Sequence, residues 1–122
     1  MVLKYLEFDY SEDAEGTGTF DAMAAVAPGQ VTAVQTEIAA VLDWAQRQFP
    51  NAQGDLDDGA EWDFDLESQQ EWVVDEGLAY DLQARRFTTH PVPPGQPRHT
   101  LTLSISGTAQ FCEAFRLAFA LD

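Results

Sequence analysis

The chain has 122 residues, 45% of them apolar, and its 21 acidic and six basic side chains give a formal net charge of −15 at pH 7. This length predicts one domain, 1–122, with a hydrophobic core that needs no cross-links. The charge argues against nucleic-acid binding, which depends on Lys and Arg, and against anionic membrane surfaces. It would instead attract a basic protein.

The sequence has neither the pattern of a signal peptide nor that of a membrane span. Charged residues interrupt the N-terminal stretch too early for a signal peptide, and no run approaches the roughly 20 apolar residues of a membrane span. The single cysteine, Cys112, fits a reducing compartment. We therefore expect a cytoplasmic protein of the bacterial type.

The first half of the chain predicts a hairpin followed by a long helix. Apolar residues alternate with polar ones from Val2 to Tyr10 and again over 19–26, which is the period of a strand. The polar segment 11–16 reads as the turn between them. A helix is predicted over 28–49, because Pro28 suits a first turn and Pro50 forbids continuation. Its apolar stripe consists of Val31, Val34, Ile38, Val41, Leu42, Ala45 and Phe49.

The second half predicts three strands and a shorter helix. After an acidic loop over 51–59, alternating strands are predicted from Glu61 and over 78–85. The proline-rich segment 88–99 reads as a projecting loop, because proline cannot donate to a ladder. A third alternating strand covers 100–106. Thr108 is the expected N-cap of an amphipathic helix over 108–120.

The order of these elements is ββαβββα. One-sided strands and one-sided helices predict an α+β domain, a two-layer sandwich in which an antiparallel sheet of about five strands carries both helices on one face. The other face is left to solvent or to a partner. The order of the strands within the sheet does not follow from the sequence.

A row of carboxylates gives the main functional hypothesis. Glu61, Asp63, Asp65 and Glu67 alternate with Trp62, Phe64 and Leu66, so the four acids are expected on the outer face of one strand. A preorganised anionic face suits the capture of a basic protein. The simpler reading is a solvated face without a role.

The two histidines give an alternative hypothesis. His90 and His99 flank the proline-rich segment and, if its base closes, could share a metal or a proton with nearby carboxylates. No nucleophile or phosphate-loop motif accompanies them. The acidic stretch from Asp55 fails the EF-hand pattern, because Gly59 and Ala60 stand at loop positions five and six.

We therefore predict a non-enzymatic interaction module that binds or inhibits a basic protein through the carboxylate row, with no cofactor and no bound metal. The alternative is a small hydrolase or metal-dependent enzyme that uses His90 and His99.

Overall fold

The computed structural model describes residues 2–121, which form six strands and two helices in the order ββαββββα. The elements are β1 Phe8–Glu12, β2 Gly18–Val26, α1 Val31–Gln48, β3 Trp62–Glu71, β4 Glu76–Asp81, β5 Arg86–Pro91, β6 Arg98–Gly107 and α2 Ala109–Ala118.

The main sheet has four antiparallel strands in the order β1-β2-β6-β3. Alternate residues of the two central strands are buried, and the apolar stripes of α1 and α2 join them in one core. Both helices therefore cover the same face, and the predicted α+β fold class is confirmed. The remaining two strands, β4 and β5, pair only with each other, so the single sheet of about five strands is a four-stranded sheet and a separate hairpin.

The long helix lies where its pattern predicts, with its most buried residues on one stripe: Val34, Ile38, Val41 and Ala45. Pro28 belongs to a short 3-10 turn, Pro28–Gln30, that leads into the helix. The other predicted stripe residues, Val31, Leu42 and Phe49, are partly buried against the same core. The stripe thus covers the sheet along its centre and leaves one flank less protected.

The second helix closes the core with aromatic rings. Thr108 is its N-cap, as predicted, because its hydroxyl accepts a hydrogen bond from the Phe111 N–H. The Phe111 ring stacks on Trp62 at 5.9 Å between centroids, and the Trp62 indole N–H donates to the Phe49 carbonyl at 3.3 Å. Strand β3, helix α1 and helix α2 therefore meet at one aromatic cluster, and the edge strand is anchored at its first residue.

The first strand begins later than predicted, at Phe8 instead of near Val2. The preceding segment is hydrogen-bonded to Glu37 of α1 instead of pairing with β2. The Glu37 carboxylate accepts backbone N–H groups of Lys4 at 2.8 Å, Tyr5 at 2.9 Å and Leu6 at 3.1 Å. These groups are satisfied by a side chain, so they do not form a ladder.

The predicted loop over 88–99 is wrong at both ends, because Arg86–Pro91 forms β5 and pairs with β4, and β6 already begins at Arg98. Pro91 is the last residue of β5, where its missing N–H interrupts nothing. The predicted strand over 78–85 ends early, at Asp81. The Asp81 carboxylate accepts the N–H groups of Gln83 and Ala84 and so fixes a turn.

Candidate partner-binding face

The predicted carboxylates lie on the outer face of the main sheet, which no helix covers. Along β3 the side chains of Asp63, Asp65 and Glu67 alternate with those of Phe64 and Leu66, as the pattern predicts. Asp65 and Glu67 are exposed, and Asp63 is half-buried. Their spacing is fixed by the ladder to β6, so these three charges are held in a row by the backbone.

Glu61 differs from the other three, because it precedes the strand and has a structural partner. The Thr108 hydroxyl donates to the Glu61 carboxylate at 2.7 Å, and the Thr108 N–H donates to the Glu61 carbonyl at 3.0 Å. This pair joins the start of β3 to the N-terminus of α2. The side chain of Glu61 therefore has a structural role, since its carboxylate is already hydrogen-bonded to Thr108.

Asp63 is also partly engaged. Its carboxylate accepts a hydrogen bond from the Gln53 side-chain amide at 2.6 Å and another from the Phe64 N–H at 2.9 Å. These bonds fix the side chain beside the loop that precedes β3. Asp65 and Glu67 have no such bond to another residue within 2–121. They are the members of the row most free to meet a partner.

The register of the sheet extends the row sideways, which the sequence does not reveal. Asp65 pairs with Ser104, Ser104 with Asp21, and Asp21 with Asp9. A single line across all four strands therefore carries three carboxylates and one hydroxyl. Pairing partners on one face have Cβ atoms about 5 Å apart, so Asp9 and Asp21 repel each other directly.

We call this surface the acidic face and define it as the exposed outer side of the four-stranded sheet. Hydroxyl-bearing residues of β6 fill its centre, and Met23 of β2 is exposed beside them. Its carboxylates are those of Glu7, Asp9, Asp21, Asp63, Asp65, Glu67 and Glu71. A concavity of about 300 Å³ on this face is lined by residues that include Asp9, Asp21 and Thr102.

The two histidines occupy different sheets. His90 lies in β5 opposite Gly77, and its ring packs over that glycine, where a Cβ would collide with it. His99 lies in β6 between Val26 and Gln70. Across residues 2–121 the structure has no group of three or more His, Cys, Asp or Glu side chains that could hold a metal ion.

The acidic loop uses its first carboxylate to shape the chain. Asp55 accepts the N–H of Asp57 at 2.9 Å and caps the short 3-10 turn Leu56–Asp58. Gly59 then takes a left-handed conformation, with φ of 94°. This geometry explains the Asp-rich sequence as a turn, in keeping with the failed EF-hand pattern.

Cys112 is part of the core. It is buried in α2, and its thiol donates to the Gly107 carbonyl at 3.5 Å. Burial raises the pKa of this thiol, with smaller opposing effects from its neighbours. A buried thiol that ionises less readily is typical of a packing residue rather than of a nucleophile.

Comparison of the chain with protein-family models, with curated proteins and with solved structures finds no match. Over residues 2–121, neither helix combines the length and the apolar character that a bilayer crossing requires.

Proposed function

We propose that this domain is a non-enzymatic interaction module that binds or inhibits a basic protein through the acidic face. The observation that carries the proposal is the alignment of Asp9, Asp21 and Asp65 across an uncovered sheet. Facing carboxylates weaken the sheet, by roughly 0.2–1 kcal/mol for a directly opposed pair. A basic partner would relieve this repulsion on binding.

The overall charge supports the same conclusion. A protein with a net charge of −15 produces a long-range field that steers a basic partner toward it and speeds association at low salt. The acidic face adds a rigid local target to this field. Its hydroxyl groups, from residues such as Thr102 and Ser104, offer hydrogen bonds between the charges.

Reversing two charges tests the proposal. In the double variant Asp65→Lys with Glu67→Lys we expect a folded domain at least as stable as the wild type, because neither carboxylate supports the fold. Affinity capture from the source cells at low salt should lose the basic partner. With that partner purified, stopped-flow mixing should show an association rate lower by about tenfold and a flatter salt dependence.

The matched control is Asp43→Lys with Glu113→Lys, which makes the same change in net charge on exposed positions of the two helices. The control should retain most of the association rate, since only the field at long range has changed. If the two double variants lower the association rate equally, net charge alone determines that rate. A partner whose association rate is the same with the wild type and with both double variants would contradict the proposal.

A further inference from the structure

Strand β3 is an edge strand whose outer side is closed only at its beginning. The Trp62 N–H donates to the Ala52 carbonyl at 3.4 Å, and the Trp62 carbonyl accepts the Gly54 N–H at 2.9 Å. The backbone groups of Trp62 therefore point away from β6. By the two-residue period of a strand, those of Phe64, Leu66, Ser68 and Gln70 point the same way.

Beyond Trp62 this edge is open. Among residues 2–121, β6 is the only strand that pairs with β3, and no loop supplies backbone hydrogen bonds to the outer side after Trp62. The Phe64 N–H is turned onto its neighbour Asp63. The edge from Leu66 to Gln70 presents unpaired donors and acceptors, which is the template that an added strand uses.

The helix-facing side of the same edge is apolar and only half covered. Trp62 is 2% exposed, whereas Phe64 is 38% and Leu66 47% exposed, although all three face the helices. A groove of about 330 Å³ lies between β3 and α1. Its apolar walls are Ile38, Ala39, Leu42, Leu66 and Leu101.

The two sides of the edge thus differ in chemistry. A strand laid beside β3 would send alternate side chains into the apolar groove and the others toward Asp65 and Glu67 on the acidic face. Neighbouring strands lie about 4.8 Å apart, within reach of a Lys or Arg side chain. The edge therefore matches a segment in which basic and apolar residues alternate.

We propose that the domain binds its basic partner by adding to β3 an extended segment of that partner with alternating basic and apolar side chains. The inference rests on the proposed function and specifies the structure that the partner contributes. Backbone hydrogen bonds supply affinity in this mode, and the alternation supplies specificity. The edge of a second copy fits poorly, since it would bring two carboxylate rows side by side.

The test uses a capped synthetic peptide that alternates lysine and valine, and a control peptide of the same composition with its lysines and valines in separate blocks. Binding is measured by fluorescence anisotropy at low salt. We expect the alternating peptide to bind at least about tenfold more tightly. Two further peptides carry N-methyl groups on alternate amides, in one phase or the other.

If the peptide binds by strand addition, the two methylated peptides should differ in affinity. One set of amides faces β3 and the other faces solvent, so methylation in one phase should abolish binding and in the other should leave it. In the protein, Leu66→Gln should weaken binding of the alternating peptide by about tenfold, because it replaces an apolar wall of the groove with a polar side chain. Leu117→Gln, an equivalent change on an 80% exposed side chain of α2, should have no effect.

Several results would overturn the inference. If the block and alternating peptides bind equally, or both methylated peptides keep their affinity, the acidic face binds charge without strand addition, and the proposed function survives alone. The alternating peptide should lose its affinity for Asp65→Lys with Glu67→Lys, and full affinity for that variant would overturn the proposed function together with the inference. A dimer in sedimentation that Leu66→Gln dissociates would assign the edge to a second copy of the chain and overturn the inference.

Discussion

Ile38→Asp should unfold the domain. Ile38 is only 4% exposed in the centre of the α1 stripe. Within residues 2–121 no basic side chain is buried that could pair with the new carboxylate. We expect a loss of at least about 5 kcal/mol, which reaches the lower end of the stability of a small domain. Circular dichroism and the dispersion of amide proton signals would report the loss of structure.

The control is Ala33→Asp, which adds the same charge to the exposed first turn of the same helix. A carboxylate near a helix N-terminus interacts favourably with the helix dipole, so this variant should melt close to the wild type. If Ile38→Asp also gave a cooperative, near-wild-type melt, the assignment of the core would be wrong.

Glu37→Gln should lower the free energy of unfolding by about 1.5–3 kcal/mol, the range for hydrogen bonds to a charged group. The variant loses the charge that binds three consecutive backbone N–H groups, those of Lys4, Tyr5 and Leu6. Leu6 is buried, at 3% exposure, so release of this segment also uncovers the core. Urea denaturation measures the change, and faster hydrogen exchange at the Leu6 amide localises it.

Asp43→Asn is the matched control, because it removes one negative charge from an exposed position of the same helix. Its midpoint should rise slightly or stay the same, since a repulsive charge is lost. Equal midpoints for the two variants would mean that the Glu37 carboxylate does not hold the N-terminal segment.

The elements with strong periodicity were predicted well. The α1 stripe, the alternation of β6 and the Thr108 cap all depend on local sequence, and the structure has each of them in place. The antiparallel sheet with both helices on one face follows from these one-sided elements. Glu37 shows the limit of this reasoning, because on the helix it is simply a polar residue, and its role depends on a distant segment.

The hairpin of β4 and β5 was missed for a different reason. Pro91 lies at the end of β5, where it is harmless, but in the sequence it is one of four prolines within 88–99. The turn itself depends on Asp81 and on Arg85, which takes a φ of 56°. A basic residue in that conformation gives no signal that distinguishes a turn from a continuing strand.

Only part of the candidate site could be predicted from the sequence. Alternation predicted the row on β3, since it needs only one strand. Asp9 and Asp21 join it through the order and register of the sheet, which depend on packing between distant segments. The same is true of Glu61, whose link to Thr108 bridges two elements far apart in the chain.

The pairing of Glu71 with Arg98 has a consequence for how the domain is assembled. These residues are register partners at the ends of β3 and β6, and the Cα atoms of such a pair are about 5.5 Å apart. A tight reverse turn would be long enough to join two residues at that distance. Residues 72–97 therefore leave the main sheet and return to it at one point, and the elements outside them have the order ββαββα. No residue of 72–97 belongs to the hydrophobic core, so we expect this segment to tolerate changes in length and chemistry that leave the core intact.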